Sequence, residues 1–369
     1  MQFIDLKKQY DRISPFVEKR IKGVLDSTKF IMGPDVDDLE SKLSRYVNRK
    51  YCISCSSGTD ALLMSLMAIE VGEGDLVFTT PFTYVATAEV ISLLKATPVF
   101  VDIDPNTFNI DPDKLEETIK YYKKTSKMNL KAIIPVDIFG LLADYERINS
   151  IAKEYNLDVI EDAAQSFGAE FKGQKSCSYG NFSTTSFFPA KPLGCYGDGG
   201  AIFTDNKKMV EILKSIRIHG TGSDKYDNVR IGINGRLDTI QASILIEKLK
   251  IFDEEFESRQ KIGKLYTKYL SDKVEVPYIP DGHKSAWALY SVLADNNNHR
   301  FELMERLSEL KIPAVVYYRK PLHLQKAFSY LGYKKGAFEV SEEISSRIFS
   351  LPMHPYLEES DIIKVSNCI

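Results

Sequence analysis

Three short segments of this chain carry side chains whose types and spacing can do chemistry. The first is Ser54-Cys55-Ser56-Ser57-Gly58-Thr59-Asp60-Ala61-Leu62, where an apolar run enters small residues and a helical pattern opens near Thr59. Free N–H groups at a helix N-terminus, approached closely across a glycine, suit a phosphate; an ordinary capped turn accounts for the same residues. It matches neither the Walker loop nor the dinucleotide fingerprint. The second is Leu157-Asp158-Val159-Ile160-Glu161-Asp162-Ala163-Ala164-Gln165, an apolar strand ending in two acids, with a glutamine three residues on. A carboxylate there can ligate a metal, act as a general base, pair with a protonated ring nitrogen, or cap a helix. The third is Thr185-Ser186-Phe187-Phe188-Pro189-Ala190-Lys191-Pro192-Leu193-Gly194, followed by Gly197-Asp198-Gly199-Gly200. Small and apolar surroundings lower the pKa of a lysine such as Lys191 and favour a Schiff base.

Phosphate cradle, strand-end carboxylate and recessed lysine are together what pyridoxal 5'-phosphate requires. The phosphate anchors it, an acid keeps the pyridinium protonated as an electron sink, and a lysine holds the aldehyde. Tyr84, in Pro81-Phe82-Thr83-Tyr84-Val85-Ala86-Thr87, follows another strand pattern; it either stacks on the ring face or is a core aromatic.

Elements that position these segments are legible as alternation. Strand patterns cover 51–54, 76–79, 97–101, 131–136, 157–161, 184–188 and 200–204, with amphipathic stretches at 60–70, 87–95, 113–122, 144–155 and 206–217 between them. Such alternation predicts an α/β fold, a large mostly parallel sheet with helices on both faces. Ligands then bind at the carboxyl ends of the strands. Asp111-Pro112 predicts an N-cap and first-turn proline. Residues 238–270 read as long helical segments, and beyond Pro277 short strands and helices form a smaller α+β unit. The expected division is a large cofactor-binding domain with an N-terminal helical segment, residues 1–245, and a small C-terminal domain, 246–369.

The chain resembles the DegT/DnrJ/EryC1/StrS family of nucleotide-sugar aminotransferases, which have fold type I of the pyridoxal-phosphate enzymes. The likeness runs from Phe3-Ile4-Asp5-Leu6 to Leu351-Pro352-Met353-His354-Pro355. The runs from Tyr51 to Leu62, Glu161 to Gly168 and Ser186 to Thr204 resemble the branch that aminates UDP-2-acetamido-2-deoxy-3-oxo-glucuronate. The resemblance implies roles at matching positions. Lys191 would hold the cofactor aldehyde and act as the catalytic base; Asp162 would pair the pyridinium nitrogen and Gln165 contact the ring hydroxyl. Gly58, Thr59 and Ser186 would hold the phosphate and Tyr84 cover the ring. Asn234, in Gly232-Ile233-Asn234-Gly235-Arg236, would reach the phosphate of a neighbouring subunit, which makes a homodimer with shared active sites part of the expectation. Around the sugar nucleotide it points to Thr28, Phe30, Ala190, Arg236, Tyr317 and Tyr318, and His323 either lines the site or lies on the surface. Phe30 stands where the pattern has tyrosine and Ala190 where serine is common, so two hydroxyls are missing. The implied reaction takes an amino group from L-glutamate to a keto sugar nucleotide used for cell-surface polysaccharide such as O-antigen. The alternative is a 3- or 4-aminotransferase of a dTDP- or UDP-keto-6-deoxyhexose. A sugar dehydratase on the same fold or a non-catalytic relative would be further readings, against which the intact Lys191, Asp162 and Gln165 argue.

Composition bounds the rest. At ~150 residues per domain, 369 residues make about two domains, and 44% apolar with 27% charged residues excludes disorder and coiled coil. A net charge of −3 from 48 basic and 51 acidic residues recruits neither nucleic acid nor an anionic membrane. Cysteines 52, 55, 177, 195 and 368 are too few and too scattered for a disulfide framework or a zinc site, and strand alternation puts Cys52 and Cys55 on opposite faces. No metal is expected. The start lacks a signal-peptide profile and no run nears the roughly 20 apolar residues of a membrane span, so a cytoplasmic protein is expected.

Overall fold

The strand patterns form one seven-stranded sheet in the computed structural model, which describes residues 1–224 and 226–369. Its strands are β1 (Tyr51–Cys55), β2 (Asp75–Thr79), β3 (Thr97–Phe100), β4 (Asn129–Ile133) and β5 (Asp158–Asp162). After a small hairpin of β6 (Glu170–Phe171) and β7 (Gln174–Lys175) come β8 (Phe182–Ser186) and β9 (Gly200–Thr204). The order across the sheet is β1-β9-β8-β5-β4-β2-β3. Only β9 runs against the others, antiparallel to both β1 and β8. Parallel pairing needs a crossover, usually a helix. Between β8 and β9 that crossover is replaced by the Lys191 loop, so the chain returns antiparallel.

Helices α1 (Leu6–Ser27) and α2 (Pro34–Tyr46) precede the sheet, and α3 (Gly58–Ala68), α4 (Ala86–Leu93), α5 (Pro112–Thr125), α6 (Tyr145–Tyr155) and α7 (Lys207–Ile216) follow its strands. Alternation sorts them onto two faces. Ile53, Cys55, Val77, Ile160 and Ile202 pack with α3, α4 and α7, whereas Cys52, Leu76, Phe78, Val159 and Phe203 pack with α2, α5 and α6. Cys52 and Cys55 thus sit in different cores. The start of α5 is as the sequence predicts: Pro112 opens it, and the Asp111 carboxylate accepts from the N–H groups of Asp113 at 2.9 Å and Lys114 at 3.2 Å.

The region from 238 is a single helix, α8 (Thr239–Leu270). Its Ala242, Leu245, Ile246, Phe252 and Phe256 belong to a core of the large sheet, and its Ile262, Tyr266 and Leu270 to a core that the C-terminal unit forms with Phe82, Phe108 and Phe139 of the sheet's loops. Residue 246 therefore lies inside a rod that carries both. The C-terminal unit holds β10 (His283–Lys284), which joins the small hairpin, then β11 (Tyr290–Leu293), α9 (Asn297–Glu309), α10 (Glu339–Arg347), β12 (Ile348–Leu351) and α11 (Glu359–Ser366), with β11 and β12 paired antiparallel. Hydrogen bonds tie it to the sheet edge. Leu322 N–H donates to Pro81 O at 2.8 Å, and Asp102, just past β3, accepts from the N–H groups of Val340 and Ser341, both at 3.0 Å. Those amides belong to the first turn of α10, where the helix dipole favours an anion. Among the described residues, no helix is long and apolar enough to cross a membrane.

Candidate active site

The carboxyl ends of β1, β5 and β8 meet at one edge of the sheet. A buried trio sets the end of β1: Glu40 of α2 accepts from Ser54 N–H and Oγ, both at 2.8 Å, and from Arg217 Nη1 at 2.6 Å. The chain then turns into α3. Ser57 caps the helix, accepting from Asp60 N–H at 3.0 Å, while both Ser56 and Ser57 hydroxyls lie on the Asp60 carboxylate. The first amides of α3, at Gly58 and Thr59, are left facing the sheet edge ahead of the intrahelical ladder. A Cβ on Gly58 would stand 2.7 Å from Ser186 Cβ, so only glycine lets the helix start press against the end of β8. Gly200 does the same behind the turn, where a Cβ would meet Ser57 O at 2.4 Å.

Of the two acids ending β5, the pleat turns one toward the site and one away. Glu161 is fully buried on the far side, accepting from the N–H groups of Cys177 at 2.7 Å and Tyr179 at 2.9 Å. Asp162 accepts from Thr87 Oγ1 at 2.8 Å and from Ala164 N–H at 3.2 Å. Burial pushes its carboxyl pKa up, and Thr87, the Ala164 amide and the nearby Lys191 charge pull it back. Lys191 keeps partial solvent exposure but is densely surrounded by protein. Burial lowers its pKa and the Asp162 charge opposes that, so the neutral amine forms at lower pH than in a free lysine. Its loop is closed by Lys191 N–H donating to Phe188 O at 2.9 Å, which leaves Ala190 at the turn.

Gln165 is clamped at both ends: Oε1 accepts from Phe139 N–H at 2.8 Å, and Nε2 donates to Tyr318 Oη at 3.0 Å. Tyr318 packs edge-on against Phe82, with ring centroids 6.0 Å apart, and its neighbours include Asp162, Tyr317 and Tyr84. Burial raises its phenol pKa and keeps the hydroxyl protonated. Tyr84 is 59% exposed, an open aromatic face rather than a core residue.

The sequence-predicted cofactor set, Gly58, Thr59, Tyr84, Asp162, Gln165, Ser186 and Lys191, thus converges on one edge. Asn234 is exposed on a loop held to it by Ser56 N–H donating to Gly235 O at 3.0 Å. Of the predicted sugar contacts, Thr28 and Phe30 are exposed, and Phe30 O accepts from Thr239 N–H at 2.9 Å, which brings that segment beside Arg236. Arg236 is partly buried, with its Nε lacking a hydrogen-bond partner among the described residues. His323 is not a surface residue. Its side chain is enclosed against Phe338 with Nε2 2.9 Å from Glu342. Sequence reasoning missed Thr83, Thr87, Phe139 and the Glu40–Arg217 pair. Only the four-residue spacing of Thr83 and Thr87 was a visible signal.

The residues fit pyridoxal phosphate: the meeting of Gly58 and Ser186 offers amides and a hydroxyl, and a buried carboxylate and an amine whose pKa burial lowers belong to the same sheet edge. Comparison with known proteins agrees. The chain is 46% identical over 363 residues, 98% of this chain and 97% of the other, to UDP-2-acetamido-2-deoxy-3-oxo-D-glucuronate aminotransferase of Pseudomonas aeruginosa. Its structure matches the crystal structure of a DegT DnrJ EryC1 StrS aminotransferase from Brucella abortus with a TM-score of 0.96, at 48% identity, covering 100% of this chain and 98% of that one. NtdA of Bacillus subtilis, solved with bound cofactor PMP, matches with a TM-score of 0.88 at 29% identity, covering 100% and 85%. The model of the DegT/DnrJ/EryC1/StrS aminotransferase family spans residues 12–369, and the chain belongs to that family.

Proposed function

We propose that the protein is a pyridoxal-phosphate-dependent aminotransferase carrying an amino group from L-glutamate to the C-3 keto carbon of UDP-2-acetamido-2-deoxy-3-oxo-glucuronate. One observation carries the chemistry: a buried carboxylate and a lysine, near enough for each charge to act on the other, share a sheet edge with a glycine-gated helix N-terminus. The substrate rests on the 46% identity to the Pseudomonas aeruginosa aminotransferase.

When bound, the cofactor supplies an electron sink and carries the amino group. The chain's own residues do the rest. Gly58 and Thr59 amides and the Ser186 hydroxyl bind the phosphate, with the α3 dipole in their favour. Asp162 holds a proton at the ring nitrogen. Gln165, its amide orientation set by Phe139, presents its remaining Nε2 hydrogen to the ring hydroxyl. Lys191 Nζ, whose ammonium form burial disfavours, removes the proton from the donor's α-carbon and returns one to the sugar carbon. Tyr84 covers the ring face, and Tyr317 and Tyr318 bring residues 246–369 to the site, with Thr28, Phe30, Ala190 and Arg236 toward the sugar nucleotide. Arg236 and the exposed Arg319, next to Tyr318, are the two candidate cations for a uronate carboxylate. Asn234 and the exposed apolar Phe30, Ile31 and Phe188 support a homodimer in which Asn234 serves the partner's phosphate site. Glutamate and a nucleotide sugar as substrates support a cytoplasmic enzyme feeding polysaccharide synthesis.

The test is turnover of glutamate against a panel of acceptors. The 3-oxo-uronate should be aminated, with 2-oxoglutarate formed, and Lys191→Ala should abolish both half-reactions. Preference for a dTDP-keto-6-deoxyhexose would establish the alternative acceptor, and undiminished turnover by Lys191→Ala would sink the assignment.

A further inference from the structure

Behind the Asp162 carboxylate lies a short chain of hydroxyls that no part of the mechanism above uses. Thr83 and Thr87 are buried, 2% and 1% exposed, and their Oγ1 atoms are 3.1 Å apart across the start of α4. Thr87 Oγ1 lies 2.8 Å from Asp162 Oδ2. An ionised carboxylate can only accept, and a threonine has one hydroxyl hydrogen. Thr87 therefore spends its hydrogen on Asp162, and Thr83 must donate to Thr87. The direction of the chain is thus fixed from Thr83 through Thr87 to Asp162. Ala164 N–H holds the other oxygen, Oδ1, at 3.2 Å. With one donor per oxygen, the carboxyl plane has a single setting. Thr83 comes from the connection between β2 and α4 and Thr87 from the first turn of α4, and they reach across β4 to the end of β5.

We propose that Thr87, backed by Thr83, is a positioning residue that keeps the Asp162 carboxylate ionised and singly oriented for the cofactor's ring nitrogen. This rests on the assignment of Asp162 to that nitrogen. Hydrogen bonds to an ion are stronger than neutral ones, and burial excludes water that would replace a lost hydroxyl. Burial alone drives Asp162 toward its neutral form. A neutral acid can no longer favour a protonated ring, so the electron sink would weaken without any change at Lys191.

The experiment compares binding of pyridoxal phosphate and of its 1-deaza analogue, in which carbon replaces the ring nitrogen, to the apo-protein by fluorescence titration. Thr87→Val, which keeps the shape and removes the hydroxyl, should weaken pyridoxal phosphate binding by roughly tenfold or more while leaving the deaza analogue unchanged. Thr87→Ser should retain the wild-type preference, and Thr83→Val should lose part of it. Equal weakening of both ligands by Thr87→Val would mean a merely structural hydroxyl and overturn the proposal, as would no weakening. Should Thr87→Val fail to fold, Thr83→Val decides: a reduced preference supports the chain, an unchanged one refutes it. Asp162→Ala separates the two levels. If it keeps the preference for the ring nitrogen, the assignment of Asp162 falls and this inference with it. If it loses that preference while Thr87→Val keeps it, Thr87 alone is refuted.

Discussion

Alanine in place of Gly58 puts a methyl carbon 2.7 Å from Ser186 Cβ and 3.2 Å from Ser186 Cα. Carbon atoms in contact settle near 3.5–4.0 Å, so the helix start and the strand end must part by about 1 Å. Neither obstacle is the free end of a flexible side chain. Overpacking of this kind costs about 1–3 kcal/mol. With an unfolding entropy of roughly 2 cal/mol/K per residue, a chain of this length should lose only ~1–4 °C in Tm. Cofactor binding should suffer far more, because the gap that opens is the phosphate site. Loss of one hydrogen bond to a charged group is worth ~1.5–3 kcal/mol, or about ten- to hundredfold in Kd. Titrating apo Gly58→Ala with pyridoxal phosphate, alongside a thermal melt, measures both. Gly23→Ala is the control: it lies in α1 with nothing within 4 Å of the added Cβ. It should gain up to ~1 kcal/mol from helix propensity and leave affinity untouched. Wild-type affinity in Gly58→Ala would refute the cradle.

Other consequences are more local. Lys248 is buried, donates to Gly194 O at 2.6 Å, and has its pKa lowered by burial from 10.5 to about 8. The unfolded chain then binds more protons between those two values, so this lysine's contribution to stability rises with pH from about 8 to 10.5. Lys248→Met should stabilise the protein at pH 7 by on the order of 2 kcal/mol, after the lost hydrogen bond is subtracted. Urea unfolding at pH 7 and 10 should show that gain shrinking at high pH; a pH-independent difference would contradict the burial argument. Asp102→Ala removes the acceptor of two α10 amides, and hydrogen exchange should quicken across 322–341 while β5 and β8 stay protected. Tyr318→Phe strands the Gln165 Nε2 hydrogen and should weaken cofactor binding by roughly tenfold; an unchanged Kd would show that Gln165 is held by Phe139 alone.

The residues with distinctive chemistry were the legible ones. Lys191 stood out because a lysine flanked by Ala190, Pro192 and glycines has no solvated-surface explanation, and strand alternation placed it at a sheet edge. Which of Glu161 and Asp162 faces the site was not decided by their identities. It depends on the pleat of β5 and on what lies at each face: the Cys177 and Tyr179 amides for one, Thr87 for the other. The reversed direction of β9 escaped for a similar reason. Its residues read as a strand in either orientation, and direction is decided by the connection.

The sequence by itself determined the period of each element, the segments that end in chemistry and, through its resemblance, the family. Those are local properties, set by backbone preferences and by the order of side chains along a few turns or strands. Tertiary structure alone decided what supports that chemistry. The Thr83–Thr87–Asp162 chain, the Phe139 clamp on Gln165 and the Glu40–Arg217 pair join residues far apart in the chain. The enclosure of His323, which the sequence left open to the surface, belongs to the same class. Each depends on two elements meeting at a distance of a few ångströms, and no spacing along the chain encodes which elements will meet.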